Sequence, residues 1–355
     1  MSPRRHLPRT IAELPVGIDT APMEAALADA LPAGEGWWFE PKWDGFRCLA
    51  FRAGDEVELR AKSGKSLSRY FPDLAEALRR LPVPCFVIDG ELAIPIGGVL
   101  SFDALQMRLH PARSRVLKLA GQSPARLIAF DCLVGSAGAS LIPRAFAERR
   151  RSLEALIACF AAQPTVILTP GTADHAEAAG WLERVGGDLD GVVAKALGEA
   201  YAPGKRALVK VKRYRTADCV VGGWRAETGG RAVASLLLGL YDGEGLLHHV
   251  GFTSAISDAD RPALTRRLEA LAGPSAFAGK APGAPSRWSG ERSADWRSLR
   301  PELVVEVRYD HVTGQRLRHG AGLVRFRPDK APAQCGLGQL RSEAPPARLA
   351  TGLAP

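Results

Sequence analysis

Glu40-Pro41-Lys42-Trp43-Asp44-Gly45-Phe46-Arg47 is the stretch on which the reading of this chain turns. It sets a lysine in the spacing Lys-x-Asp-Gly-x-Arg, directly after the aromatic run Trp37-Trp38-Phe39. A lysine serves as a nucleophile only when it gives up its proton and an electrophile is held against it. An arginine five residues on can hold a phosphate, and Asp44-Gly45 supplies a tight turn between the two. On an extended chain Glu40 points to the same face as Lys42. Neighbouring cations and a bound divalent ion would make the Lys42 ammonium easier to deprotonate.

Working outward, further blocks follow in order. They are Phe86-Val87-Ile88-Asp89-Gly90-Glu91-Leu92, Leu127-Ile128-Ala129-Phe130-Asp131, Asp190-Gly191-Val192-Val193-Ala194-Lys195, Val209-Lys210-Val211-Lys212 and Arg325-Phe326-Arg327-Pro328-Asp329-Lys330. Lysine is scarce beside arginine, yet Lys42, Lys62, Lys65, Lys195, Lys205, Lys210, Lys212 and Lys330 all fall in or beside these blocks. In Val209–Lys212 the period of two is plain: both lysines on one face, both valines on the other. Asp89 before Gly90 reads most simply as a turn former, and Phe130, in an apolar run, reads by default as core.

Together the blocks resemble motifs I, III, IIIa, IV, V and VI of the covalent nucleotidyltransferases: DNA ligases, RNA ligases and mRNA-capping enzymes. The resemblance spans roughly residues 30 to 335. It is strongest to ATP-dependent DNA ligases of the actinobacterial LigC group, through Tyr201-Ala202-Pro203-Gly204-Lys205-Arg206, the run Lys212 to Cys219, and Arg318-His319-Gly320-Ala321. It implies ATP as cofactor, AMP carried on Lys42, Mg²⁺ or Mn²⁺, and nicked double-stranded DNA as partner, with repair proteins beside it. Lys42, Lys210 and Lys212 would be catalytic. Glu40, Arg47, Lys62, Glu91, Phe130, Arg206, Lys210, Lys212, Arg327 and Lys330 would contact the nucleotide, and Glu91 and Asp190 the metal. By resemblance Phe130 stacks on the base. Two positions depart from the family pattern. Asp190 stands where many relatives carry glutamate, and Lys62 where they carry arginine, losing a two-pronged contact.

Bulk properties agree with a polyanionic partner: 355 residues carry a net charge of +9, with a pI near 9.5. No apolar run approaches the ~18–20 residues of a membrane span, and the basic N-terminus lacks the apolar core of a signal peptide. A cytoplasmic monomer, associated with the nucleoid in a bacterium, is expected. The six cysteines form no Cys-x-x-Cys pair and read as small buried hydrophobes. Gly64-Lys65-Ser66 imitates the end of a P-loop, but Leu59 stands where its first glycine belongs.

The element pattern predicts an α+β fold: an adenylation domain with largely antiparallel sheets over residues 1–214, then an OB-fold barrel over 215–335. The hinge is placed at Tyr214–Thr216, and an Ala/Pro-rich tail, loosely ordered, runs over 336–355. A short helix is expected over Met23–Leu31, separate strands over 85–88 and 91–95, and a loop over 273–294. Two other readings stay open here. One is an RNA ligase or guanylyltransferase, which shares Lys-x-Asp-Gly; the other is a non-catalytic DNA-binding repair factor using the basic barrel.

Overall fold

The computed structural model describes residues 7–160, 165–183, 189–278, 295–310, 312–317 and 320–340. Strands and helices mix from the start: β1 (Glu24–Ala28), β2 (Trp37–Trp43), β3 (Phe46–Ala53), β4 (Glu56–Ala61), α1 (Pro72–Arg79) and β5 (Cys85–Ala93). Next come the small hairpin β6 (Pro95–Ile96) and β7 (Val99–Leu100), then α2 (Phe102–Arg108), α3 (Arg113–Gln122), β8 (Arg126–Val134) and α4 (Phe146–Ala158). β9 (Val166–Leu168), α5 (His175–Glu183), β10 (Leu189–Ala196) and β11 (Arg206–Val211) complete a first unit, which runs through Arg213.

Two sheets build that unit. One has the order β4-β3-β5-β8-β9, antiparallel except for β8 with β9; the other has the order β1-β11-β10-β2. In the first sheet, alternation sends Cys48, Ala50, Phe86 and Ile88 into the core under α1 and α4. It sends Leu49, Phe51, Cys85 and Val87 the other way, into a second core that holds Met23, Tyr201 and Leu208. Residues 24–28 are a strand rather than the expected helix. Their alanine-rich composition favours helix locally, but parallel pairing with β11, Leu27 opposite Lys210, overrides it. Pro41 sits in β2, at one end of its sheet's strand order, where a missing N–H is tolerated.

The second unit begins at Tyr214. Its strands β12 (Arg215–Ala226), β13 (Val233–Tyr241), β14 (Leu247–Thr253), β15 (Arg297–Ser298), β16 (Val304–Tyr309) and β19 (Gly322–Phe326) make an antiparallel sheet of order β14-β13-β12-β16-β19, with β15 on β12. The short pair β17 (Val312–Thr313) and β18 (Arg316–Leu317) and helix α6 (Arg261–Ala270) complete it. This is the OB-type domain, with its own core around Trp224, Leu236, Leu238, Val250 and Val305. Phe277 is no part of a free loop: its ring fills the space left by the missing side chains of Gly222 and Gly239. The rest of the expected loop, residues 279–294, lies outside the described residues. So do residues 341–355 of the tail and Arg318 and His319 of the quoted motif. Residues 336–340 are docked rather than loose, because the Gln339 amide both donates to and accepts from the Asp218 backbone. Of the six cysteines, Cys159 alone is exposed.

Candidate active site

A cavity of about 240 Å³ opens between the two sheets of the first unit. β2 contributes Glu40, Pro41, Lys42 and Trp43; β3 and β5 contribute Arg47 and Glu91; β10 and β11 contribute Val193, Lys195, Leu208 and Lys210. Lys62, Phe130 and residues 22–25 close the rim. Lys42 Nζ lies 2.5 Å from Asp190 Oδ2, and Lys212 Nζ reaches the same oxygen at 3.0 Å. Burial alone would raise the Asp190 carboxyl, but those two ammonium groups outweigh it and hold it below the ordinary range. Lys210 is pulled down, first by burial and then by Lys42, Lys212 and Lys62.

Two β-bulges aim side chains at this site. In β10, Leu189 pairs with Trp43 and Gly191 with Lys42, so Asp190 is the extra residue. Strict alternation would put Asp190 on the face of Val192 and Ala194, which pack under α5; the bulge turns it toward Lys42 instead. Gly191 makes that possible. Its φ is +147°, and a Cβ there would overlap the Val211 carbonyl oxygen. In β8, Asp131 pairs with Asp89 and Ala129 with Gly90, which leaves Phe130 as the extra residue. Phe130 is thereby half-buried at the cavity wall, not core, with the Arg47 guanidinium 4.4 Å and Lys195 Nζ 4.9 Å from its ring centroid.

Residues 21–212, more than half of the chain, match the family described as the ATP dependent DNA ligase domain. The chain belongs to the ATP-dependent DNA ligase family. Residues 229–330 of this ligase match that family's C-terminal region. It is 46% identical to DNA ligase C2 of Mycolicibacterium smegmatis over 93% of this chain and 96% of that one. It is 42% identical to DNA ligase C of Mycobacterium tuberculosis over 92% and 95%. Its fold is shared by a structure solved in a study of Lig E DNA ligases, with a TM-score of 0.53, 19% identity, and coverage of 86% and 99%.

The remaining expected site residues of this ligase divide into those the cavity gathers and those it does not. Arg47 is not a free phosphate holder: its Nε and Nη2 each lie 2.6 Å from an Asp89 oxygen, leaving Nη1 outside that fork. Glu40 is buried and closed off by Lys195 at 2.7 Å and Arg150 at 3.1 Å; burial nonetheless pushes its carboxyl upward. Glu91 stands half-buried on the cavity wall, and burial pushes its carboxyl up to about 7. Lys62 pairs with Glu24 at 2.9 Å on the exposed rim. Arg206, by contrast, is exposed at the start of β11 and does not line the cavity.

Asp89 is also unlike its turn reading. It lies fully buried in the middle of an unbroken strand, where it accepts from Arg47 and from the Tyr201 hydroxyl at 2.6 Å. Tyr201 in turn accepts the Met23 N–H at 2.8 Å, and Arg47 donates to the Met23 carbonyl at 3.1 Å. Asp89, Tyr201, Arg150 and Lys195 were all missed as site residues. Asp89, Tyr201 and Lys195 each lie inside a quoted motif, whereas Arg150 carried no signal. In the second unit Arg327 and Lys330 both bind Asp218, at 3.0 and 2.5 Å, and Arg325 binds Glu306 at 2.6 Å. Asp218 lies in the quoted run Lys212 to Cys219 but was not singled out there.

A divalent cation fits this donor set. Asp190 Oδ1 is buried with no hydrogen-bond partner among the described residues, an acceptor with nothing to accept. Glu91 supplies a second carboxylate, on the cavity wall with Lys42. Among the described residues no group of three or more acidic, His or Cys side chains gathers. Such a site suits Mg²⁺, which takes one or two carboxylates and completes its shell with water and phosphate oxygens. No described helix is long and apolar enough to cross a membrane.

Proposed function

We propose that this ligase seals 3′-hydroxyl/5′-phosphate nicks in double-stranded DNA, with Lys42 as the residue that carries AMP. The observation that supports this reading most is the meeting of Lys42 and Lys212 on Asp190, which the β10 bulge turns toward them, with Lys42 and Lys210 lining the cavity. First, Lys42 Nζ forms a bond to the α-phosphorus of ATP while the bond to pyrophosphate breaks. Next, the AMP moves to the 5′-phosphate of the nick, restoring the free lysine. Last, the 3′-hydroxyl attacks that phosphate and AMP leaves. Each step is an in-line displacement, so positioning and charge neutralisation carry most of the catalysis.

Asp190 receives a specific part in the first step. Its carboxylate, 2.5 Å from Lys42 Nζ, would hold the amine in position for attack. Lys210 and Lys212 offset the phosphate charge from the neighbouring strand. Phe130 offers a ring face to the base, an interaction worth roughly 1–3 kcal/mol. Asp190 and Glu91 would hold the divalent cation, which supplies charge withdrawal from the phosphate oxygens. Arg327 and Lys330 of the OB-type unit would meet the β- and γ-phosphates once freed from Asp218, and Tyr214–Thr216 is the natural hinge.

Lys42→Ala is expected to abolish both AMP attachment and sealing of an ordinary nick. Mass spectrometry of the intact protein after incubation with ATP reads this directly. An AMP-sized increment persisting in the variant would remove Lys42 from the mechanism. The same experiment with GTP separates ligase from guanylyltransferase, and no adduct with either nucleotide would favour a non-catalytic DNA-binding factor.

A further inference from the structure

A second cleft, of about 390 Å³, lies in the first unit where the segment before α1 meets the α2–α3 loop and α3. Arg69, His110 and Arg113 line it, and Arg115 and Lys118 stand exposed farther round α3. None of these four Arg and Lys side chains has a carboxylate partner among the described residues, whereas the arginines nearby do. Arg79 and Arg80 share Glu76, and Arg108 takes Asp73. Asp73, an acid at the start of α1, is thereby engaged, its other oxygen accepting from the Ala125 N–H at 2.7 Å.

The cleft is also preset in shape. Arg69 donates to the Pro111 carbonyl at 3.2 Å while its guanidinium rests 4.9 Å from the Tyr70 ring centroid. His110 Nδ1 accepts the Ala112 N–H at 3.0 Å, so the neutral ring carries its hydrogen on Nε2 as a donor. The first turn of α3 holds no acid, and its N-cap is Ala112, which has no capping side chain. Positive side chains there oppose the helix dipole, an arrangement that a bound anion relieves. With about 100° per residue, Arg113 and the pair Arg115 and Lys118 fall on different sides of α3. The charge is therefore spread wider than one small anion covers, and a polyanionic strand matches it.

We infer that this cleft and the outer face of α3 hold the phosphodiester backbone of the duplex away from the reacting nick, an inference that rests on nicked duplex DNA being the substrate. The test uses the full chain, a fluorescent nicked duplex and a salt series, with the double variant Arg69→Ala/Arg113→Ala beside wild type. The variant should bind about tenfold more weakly. Its log–log salt slope should be shallower by about 0.9 for each phosphate that the protein no longer neutralises, with self-adenylylation by ATP unchanged. A variant that adenylylates normally and keeps wild-type affinity and slope overturns the assignment. Should the alanine pair fold poorly, Arg69→Lys/Arg113→Lys decides: charge retained must restore binding, and weak binding there also overturns it. A wild-type protein with salt-independent affinity would instead strike at the duplex substrate itself.

Discussion

Arg47 shows how much of this site depends on side chains that touch no substrate. Its guanidinium is gripped by a buried carboxylate, which is itself gripped by a buried phenol, and the phenol accepts from the backbone at Met23. Tyr201→Phe removes the phenol oxygen and leaves Asp89 and the Met23 N–H each one partner short. A missing hydrogen bond of this kind costs about 1–1.5 kcal/mol, so KM for ATP in self-adenylylation should rise about tenfold with kcat within about threefold. Initial rates against ATP concentration check this, and an unchanged KM with a fallen kcat would break the link from Tyr201 to Arg47. Lys42, Glu91 and Lys210 were readable as site residues because their spacing puts chemistry on one strand face. Asp89 was not. Asp-Gly is a turn signal over four residues, but here β3 and β8 flank the strand and hold it extended.

At the scale of the element, what periodicity can and cannot convey becomes plain. β11 follows its period of two from Leu208 on, with Val211 buried and Val209 packed beside it, because pairing over Leu208–Val211 is regular. The two residues that matter most elsewhere sit where the period breaks. A bulge is fixed by the partner strand and leaves no trace in the alternation of its own, so Asp190 and Phe130 could be placed at the site only by resemblance. The helix expected at Met23–Leu31 failed for a related reason, since its fate was decided by β11. Gly191→Ala tests the bulge. The added Cβ meets the Val211 carbonyl oxygen and the Lys212 Cα, so β11 must shift and carry Lys210 and Lys212 with it. Self-adenylylation should fall at least about a hundredfold, a 1 Å misplacement being enough for that, while circular dichroism stays native. Wild-type activity in this variant would show that the bulge tolerates a side chain.

As a whole, the molecule holds two units with separate cores, and its stability need not titrate uniformly. His249, in the second unit, is pressed down to about 4 by burial and then by Arg316 and Arg225. Its Nδ1 lies 2.7 Å from Arg316 Nη2, and Nε2 has no hydrogen-bond partner among the described residues. Between about pH 6.5 and 4 the unfolded chain takes up a proton there that the folded chain refuses. The second unit should therefore lose stability as pH falls through that window. Scanning calorimetry should show its transition dropping on acidification, less so in His249→Gln; identical pH profiles would exonerate His249. The sheet order carries one further consequence. The β4-β3-β5-β8 array finds all its partners by Val134, but β1 must find a partner that begins at Arg206, opposite Glu24, and β2 one that includes Gly191, opposite Lys42. During synthesis, then, a chain still growing has its nucleophile on a strand without a neighbour. It cannot consume ATP until the ribosome has delivered the last strand of the unit.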